Sequence, residues 1–173
     1  KEGGRGPIRV DLTDPNGSGL VERLQLPDGS VDGERITGCY VGDENRGDIT
    51  FKDCTVVGFG DNGLYADPEI GRMIVDGGYY ANNGIANVRV RAGCTVRNVH
   101  VRCDDGSKDF DSMRGIRLTN HDADPDAEPP LVENCLVEMI EVSASDGGIT
   151  LSSELPSMTV RNTDITVDAD DIN

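Results

Sequence analysis

The chain has 173 residues and sets 32 Asp and Glu against 16 Lys and Arg, a formal net charge of −16. That length suits one domain, and no cluster of Lys and Arg offers the phosphate contacts a nucleic-acid partner needs. Trp is absent, Gly numbers 22, and no apolar run approaches the ~18 residues that a membrane span requires.

Residues 1–35 read as an irregular N-terminal segment or first partial coil. Turn signals stand at Asp14-Pro15-Asn16-Gly17, Pro27-Asp28-Gly29 and Asp32-Gly33. Ile8-Arg9-Val10-Asp11-Leu12 and Val21 to Leu26 alternate like strands. They are expected to begin the regular part of the fold or to lie across its end. Asn16-Gly17-Ser18 matches the N-glycosylation triplet, which is frequent by chance.

From residue 36 onward a short pattern recurs about every 22 to 36 residues: apolar, any, Asn or Asp, a variable residue, any, apolar. A weak copy is Ile36-Thr37-Gly38-Cys39-Tyr40-Val41. The clear copies are Phe51-Lys52-Asp53-Cys54-Thr55-Val56, Ile74-Val75-Asp76-Gly77-Gly78-Tyr79, Val96-Arg97-Asn98-Val99-His100-Val101, Val132-Glu133-Asn134-Cys135-Leu136-Val137 and Val160-Arg161-Asn162-Thr163-Asp164-Ile165. Apolar residues alternate before the Asn or Asp, then alternate again one residue out of phase. Such a shift turns every later side chain to the other face unless the chain itself turns there. Asn, Asp and Gly tolerate the left-handed backbone of a sharp corner. Each copy therefore reads as strand, corner, strand.

A second pattern follows four copies: Gly63-Leu64-Tyr65-Ala66, Gly84-Ile85-Ala86-Asn87, Gly115-Ile116-Arg117-Leu118 and Gly148-Ile149-Thr150-Leu151. It reads as a third strand entered through a glycine. Three short strands per repeat predict an all-β parallel solenoid of about five coils over residues 36–173. A β-sandwich also has many short strands but rarely repeats an Asn corner in phase with a glycine. On these motifs the chain resembles the right-handed parallel β-helix superfamily of pectate lyases, polygalacturonases and phage tailspikes. More closely, it resembles the secreted β-helix-repeat proteins of haloarchaea. The resemblance spans roughly residues 36–173 and rests on scaffold residues. It implies a single-stranded right-handed parallel β-helix, an extracellular or cell-surface location, and a polysaccharide or cell-surface glycan as partner. The chain is read as a mature or excised piece of something longer. Further coils of the same polypeptide, or stacked copies, are expected to cover its end edges.

Asp supplies 22 of the 32 acids, and Lys stands only at Lys1, Lys52 and Lys108 against 13 Arg. A dense carboxylate shell holds water and cations where salt is molar and the Debye length is only ~3 Å, so a high-salt environment is expected. The five cysteines, Cys39, Cys54, Cys94, Cys103 and Cys135, cannot all pair internally. Cys39, Cys54 and Cys135 are assigned one inward slot after the corner, where a free thiol packs as a small apolar group.

Three insertions lengthen the coils: Asp104 to Met113, His121 to Pro130 and Glu138 to Asp146. Insertions in solenoids often frame the binding face, and the first two bracket the strand Gly115 to Asn120. Ile116 and Leu118 inward put Arg117 and Thr119 outward. Aligning the four glycine strands predicts one outward row of Tyr65, Ala86, Arg117 and Thr150, and a next row of Asp67, Val88, Thr119 and Ser152. Tyr65, Asp67, Arg117, Thr119 and Thr150 are the ligand-contact candidates.

Asp104 and Asp105 match the aspartate pair of polygalacturonase-like glycosidases, but that family's Arg-x-Lys is absent. A hydrolase needs two carboxylates at controlled separation, one with a raised pKa. Lyase chemistry of the pectate-lyase kind needs an Arg or Lys base and a Ca2+ that acidifies the uronate α-proton; Arg114 and Arg117 are the candidates. For Ca2+ itself, Asp104, Asp105, Asp109 and Asp111 share one loop and Asp122, Asp124 and Asp126 another. Neither loop matches the EF-hand or the glycine-rich nonapeptide. No catalytic constellation is complete, so the expectation is a recognition module toward polysaccharide. The alternatives are a lyase or glycosidase on uronate polymers, and a virion-spike or surface-filament subunit.

The charge yields a test. With twice as many acids as strong cations, the melting temperature is expected to rise between about 0.1 M and about 2 M KCl as repulsion is screened. A flat or falling profile in differential scanning calorimetry refutes salt adaptation.

Overall fold

The computed structural model describes residues 6–30, 34–105, 113–120, 128–142 and 144–169. Every regular element among them is a strand. The chain runs β1 (Ile8–Val10), β2 (Ser18–Glu22), β3 (Gln25–Leu26), β4 (Cys39–Val41), β5 (Asp48–Val57), β6 (Leu64–Ala66), β7 (Met73–Ala81) and β8 (Ala86–Arg91). It continues with β9 (Thr95–Arg97), β10 (His100–Cys103), β11 (Met113–Thr119), β12 (Leu131–Glu133), β13 (Leu136–Val142), β14 (Ser145–Leu151), β15 (Thr159–Arg161) and β16 (Asp164–Ala169). No helix among the described residues is long and apolar enough to cross a membrane.

All strand pairings are parallel. A six-stranded sheet runs in the order β1-β4-β6-β8-β11-β14, and the other ten strands form a second sheet. Parallel neighbours cannot be joined by a tight hairpin. Here the visit to the opposite sheet supplies the crossover, and each return lays one strand beside the last. The three segments of each pass thus belong to two sheets, because the strands before and after the corner share one hydrogen-bonded ladder.

That corner is a column of left-handed residues. Register aligns Arg23, Asp53, Gly77, Asn98, Asn134 and Asn162, with φ of 52, 52, 73, 56, 53 and 49°. The corner amide keeps the ladder continuous: Asn98 N–H donates to the Glu133 carbonyl at 3.1 Å and Asn134 N–H to the Arg161 carbonyl at 3.2 Å. Two expectations are corrected here. In the copy at residues 74–79 the corner is Gly77, one residue after Asp76, and a Cβ on Gly77 would meet Asp53 Oδ1 at 2.3 Å. The weak copy at 36–41 is no corner; Gly38 and Cys39 lead into β4. The first corner is Arg23, and β1, β2 and β3 already pair with β4 and β5.

The glycine slot of the six-stranded sheet holds Gly38, Gly63, Gly115 and Gly148, with Asn87 in β8. Gly84, expected there, lies outside the strand. A Cβ on Gly115 would meet the Gly148 carbonyl oxygen at 2.3 Å, so backbone approach dictates the residue. Asn87 occupies its place by bonding inward, accepting from Asn83 Nδ2 at 2.8 Å and donating to Cys103 Sγ at 3.0 Å.

Between the sheets lie apolar columns: Phe51, Val75, Val96 and Val132 before the corner, Val56, Tyr80, Val101 and Val137 after it, and Leu64, Val88 and Ile116 opposite. All five cysteines are buried free thiols. Cys54 and Cys135 share the column just after the corner, as expected, whereas Cys39 lies in the six-stranded sheet beside Leu64. Burial pushes the Cys39 thiol up to about 12 and those of Cys94 and Cys103 up to about 11, so they remain protonated and unreactive near neutrality.

The corner predicts its own mutational signature. Asn134→Val forces a β-branched residue into left-handed backbone and is expected to cost about 1–3 kcal/mol. Asn134→Gly, which relieves the strain, is expected to cost far less. Equal losses for both in urea unfolding disprove the corner's role.

Candidate functional site

The outer face of the six-stranded sheet carries one in-register row, Arg9, Tyr40, Tyr65, Arg89, Arg117 and Thr150. Neighbours in such a row stand ~4.8 Å apart because strands do. Their side chains interlock. The Arg9 guanidinium lies 5.6 Å from the Tyr40 ring centre, the Tyr40 and Tyr65 rings are 5.3 Å apart, and Arg89 lies 4.3 Å over Tyr65. These are cation–π and tilted aromatic geometries. Both phenols stay neutral at ordinary pH. Burial, then a hydrogen bond to the Asp43 carboxylate at 3.1 Å, pushes Tyr40 up to about 12. Burial also raises Tyr65, against the opposing pull of Arg89.

Three arginines meet here and differ in their partners. Arg89 donates to Asp67 Oδ2 through Nε at 3.0 Å and through its terminal nitrogen at 2.8 Å. Arg114 pairs with Asp146. Half-buried Arg117 has no hydrogen-bond acceptor among the described residues; burial and then the like charge of Arg89 lower its proton affinity. It remains a cation, since a guanidinium does not titrate in the accessible range. Its in-register neighbour on the far side, Thr150, has a buried hydroxyl oxygen without a partner among the described residues.

The expected contacts therefore divide. Tyr65, Arg117 and Thr150 share the row as anticipated. Asp67 is turned to holding Arg89 and its side chain is only 4% exposed. Thr119, expected to face outward, is fully buried, its hydroxyl donating to the Val90 carbonyl at 3.2 Å. Ala86, placed in the row by the Gly84 alignment, is replaced by Arg89, three residues later. Arg9 and Tyr40 were missed, although Ile8-Arg9-Val10 and Cys39-Tyr40-Val41 carry the same alternation.

Asp104 does not suit a general acid. It accepts from Arg102 Nε at 2.7 Å and Asn82 Nδ2 at 3.0 Å. Arg102, followed by Asn82, holds its carboxyl below the usual range. Arg102 also reaches Glu138 at 2.9 Å, and His100 Nε2 lies 2.7 Å from the same Glu138 oxygen. Asp105 donates its N–H to Asn82 Oδ1 at 3.3 Å. Asp109, Asp111, Asp122, Asp124 and Asp126 lie outside the described residues. Among the described residues no group of three or more His, Cys, Asp or Glu is placed to hold a metal ion. An open cavity of about 530 Å3 lies away from the row, near Arg46, Arg72 and Arg91; Arg72 is paired to Asp48 at 3.5 Å and Arg91 donates to the Pro68 carbonyl at 2.6 Å.

Compared with protein-family models, with curated proteins and with solved structures, the chain matches none.

The Asp104 geometry sets an acid limit. Its lowered pKa means that the stabilisation is present above the unfolded Asp value of about 3.9 and is lost as pH falls through the folded one. An NMR titration is expected to place Asp104 below that value, and Arg102→Ala to return it upward. A normal or raised pKa reopens the acid role.

Proposed function

We propose that the chain is a segment of a single-stranded right-handed parallel β-helix, extracellular and adapted to high salt, whose six-stranded wall recognises an acidic polysaccharide. The observation that carries this is the row Arg9, Tyr40, Tyr65, Arg89 and Arg117, a run of neutral aromatic faces and guanidinium groups at strand spacing. A sugar ring stacks on a neutral Tyr face through its apolar C–H surface. A carboxylate or sulfate substituent matches the planar fork of an Arg. Because the row sits on a sheet, its side chains are already ordered and lose little freedom on binding. A linear row suits a linear polymer. The parallel passes, the corner column and the glycine slot support the β-helix; the excess of Asp over Lys supports the salt-rich, extracellular setting.

The rival is cleavage of the same polymers. The ionised, Arg-held state of Asp104 favours binding over acid catalysis. The deciding experiment screens uronate, sulfated and neutral polysaccharides for binding and, in parallel, for cleavage. Acidic polymers are expected to bind without being cut. Arg117→Ala is expected to cost about 1.5–3 kcal/mol, at least a roughly tenfold loss of affinity. Tyr65→Ala is expected to cost about 0.5–1.5 kcal/mol. Full binding by both variants removes the wall as the site, and release of unsaturated or reducing ends moves the reading to a lyase or glycosidase.

A further inference from the structure

The open cavity of about 530 Å3 is built by the connections that lead from the six-stranded sheet to the ten-stranded one. Five successive passes contribute to it: Pro15 before β2, Arg46 before β5, Arg72 before β7, Arg91 at the end of β8 and Glu128 before β12. It therefore lies on the flank of the stack, beside the passes rather than above or below them. Fully buried Asn45 fixes this flank. Its amide nitrogen donates to the Gly47 carbonyl at 2.8 Å and the Ile70 carbonyl at 3.2 Å, and its oxygen accepts from the Leu12 N–H at 3.0 Å. One side chain thus staples three adjoining connections. Gly71, with φ 88°, packs so closely that a Cβ there would collide with the Gly47 carbonyl oxygen. A cavity held in this way is formed before any ligand arrives.

Three guanidinium groups line it, and their partners differ. Arg72 is paired with Asp48, so that carboxylate is already met by a cation. Half-buried Arg46 spends one terminal nitrogen on the Asp43 and Asn45 carbonyls, both at 2.8 Å. Arg91 is only 6% exposed and spends one terminal nitrogen on the Pro68 carbonyl at 2.6 Å. Neither Arg46 nor Arg91 is paired with a carboxylate among the described residues. A guanidinium has five donors, and a carbonyl does not neutralise its charge. A desolvated cation without a counter-charge is costly. Glu69 and Glu128 also line the cavity, but both are exposed and keep their charges in water, whereas Arg91 is held in the wall.

We infer that this cavity is a separate binding site, in which Arg91 and Arg46 hold the oxyanion of a small acidic ligand. A guanidinium fork matches the edge of a carboxylate, sulfate or phosphate. The volume falls within the ~300–1,000 Å3 of small-molecule pockets and leaves room for the body of an organic acid, such as a sugar acid, around its anionic group. None of the lining residues belongs to the row Arg9 to Thr150, so the inference does not depend on what the six-stranded wall binds.

The test is an NMR titration of the isotope-labelled chain in the lowest KCl at which circular dichroism shows it folded. Sulfate, phosphate and glucuronate are added at constant ionic strength, with further KCl and glucose as controls. Saturable shifts at the Arg46 and Arg91 Nε–H groups and the Gly93 amide are expected with the oxyanions and with neither control. Two sources are separated by the order of affinity: glucuronate above sulfate and phosphate identifies an organic acid, and the reverse order identifies the inorganic ion. Because Arg91 is buried, its loss threatens the fold, and Arg46→Ala carries the mutational test. Affinity is expected to fall roughly tenfold or more in that variant. The proposal is overturned by the absence of saturable shifts at the cavity with all three anions, or by equal shifts with KCl or glucose. Full affinity in Arg46→Ala overturns it too, as do shifts confined to Arg89 and Arg117, which place the anion on the wall instead.

Discussion

Everything in this chain depends on a single backbone constraint, a left-handed residue at the same place in every pass. One such residue absorbs a parity change, so Val96 before the corner and Val101 after it both point into the core. Its amide bonds to the following pass, as from Asn98 to Glu133, which forces the next corner to lie directly above it. Passes of different length must then accommodate their extra residues away from the corner. The ten-stranded sheet carries its own outward row one residue before the corner, Glu22, Lys52, Asp76, Arg97, Glu133 and Arg161. The rows Arg9 to Thr150 and Glu22 to Arg161 keep their register, while single extra residues are taken up at shifts within strands, as between Ile140 and Val142 and beside Met113 and Arg114. A side chain's neighbours are thus decided by its offset from the nearest corner, whatever its distance along the chain.

The fold was legible where the corner used the residues that chemistry prefers. Asp53, Asn98, Asn134 and Asn162 announce themselves because few other side chains accept φ near +50° at low cost. Arg23 holds φ 52° with no such preference, and its pass was hidden as irregular sequence. Asp76 beside Gly77 offered two acceptable corner residues in succession, and only the packing of Gly77 against Asp53 separates them. In β8 the slot residue is Asn87, so anchoring on the nearby Gly84 displaced the strand by three residues and exchanged Ala86 for Arg89. Tyr65, Arg117 and Thr150 were accessible from alternation alone, since an apolar residue on either side forces the middle one outward. What alternation cannot tell is which carboxylate an arginine finds. Asp67 reaches Arg89 from just beyond β6, and Asp146 reaches Arg114 from the register shift at the start of β14; no periodic pattern encodes either.

The two outward rows show two uses of the same geometry. In the row Glu22 to Arg161 every charge has an opposite neighbour. Exposed pairs of this kind add little stability each, but their alternation penalises a slipped register, in which like charges would meet. The row Arg9 to Thr150 follows another logic. Arg9 and Arg89 lean on aromatic faces, and its two tyrosines are neutral and packed together. The same spacing that closes ion pairs in the first row packs rings against guanidinium groups in the second, leaving Tyr40 and Arg89 only 9 and 8% exposed.

Arg117 is where that difference is sharpest. Acids outnumber bases two to one in this chain, with 32 against 16, so scarcity of carboxylates does not explain a half-buried guanidinium without an acceptor among the described residues. Burial and the neighbouring Arg89 both disfavour its charge, and an Asp or Glu at position 150, the next place in the row, would relieve both. That place holds Thr150, whose hydroxyl oxygen has no partner among the described residues either. A guanidinium offers five donors in a fixed fork, and Arg117 stands between Arg89 and Thr150 with no acceptor for them among the described residues. A structural arginine is normally satisfied where it stands, as Arg89 is by Asp67. Arg117, with no acceptor among the described residues, differs from Arg89 in this respect, and it is on that difference that the proposed recognition of an anionic group rests.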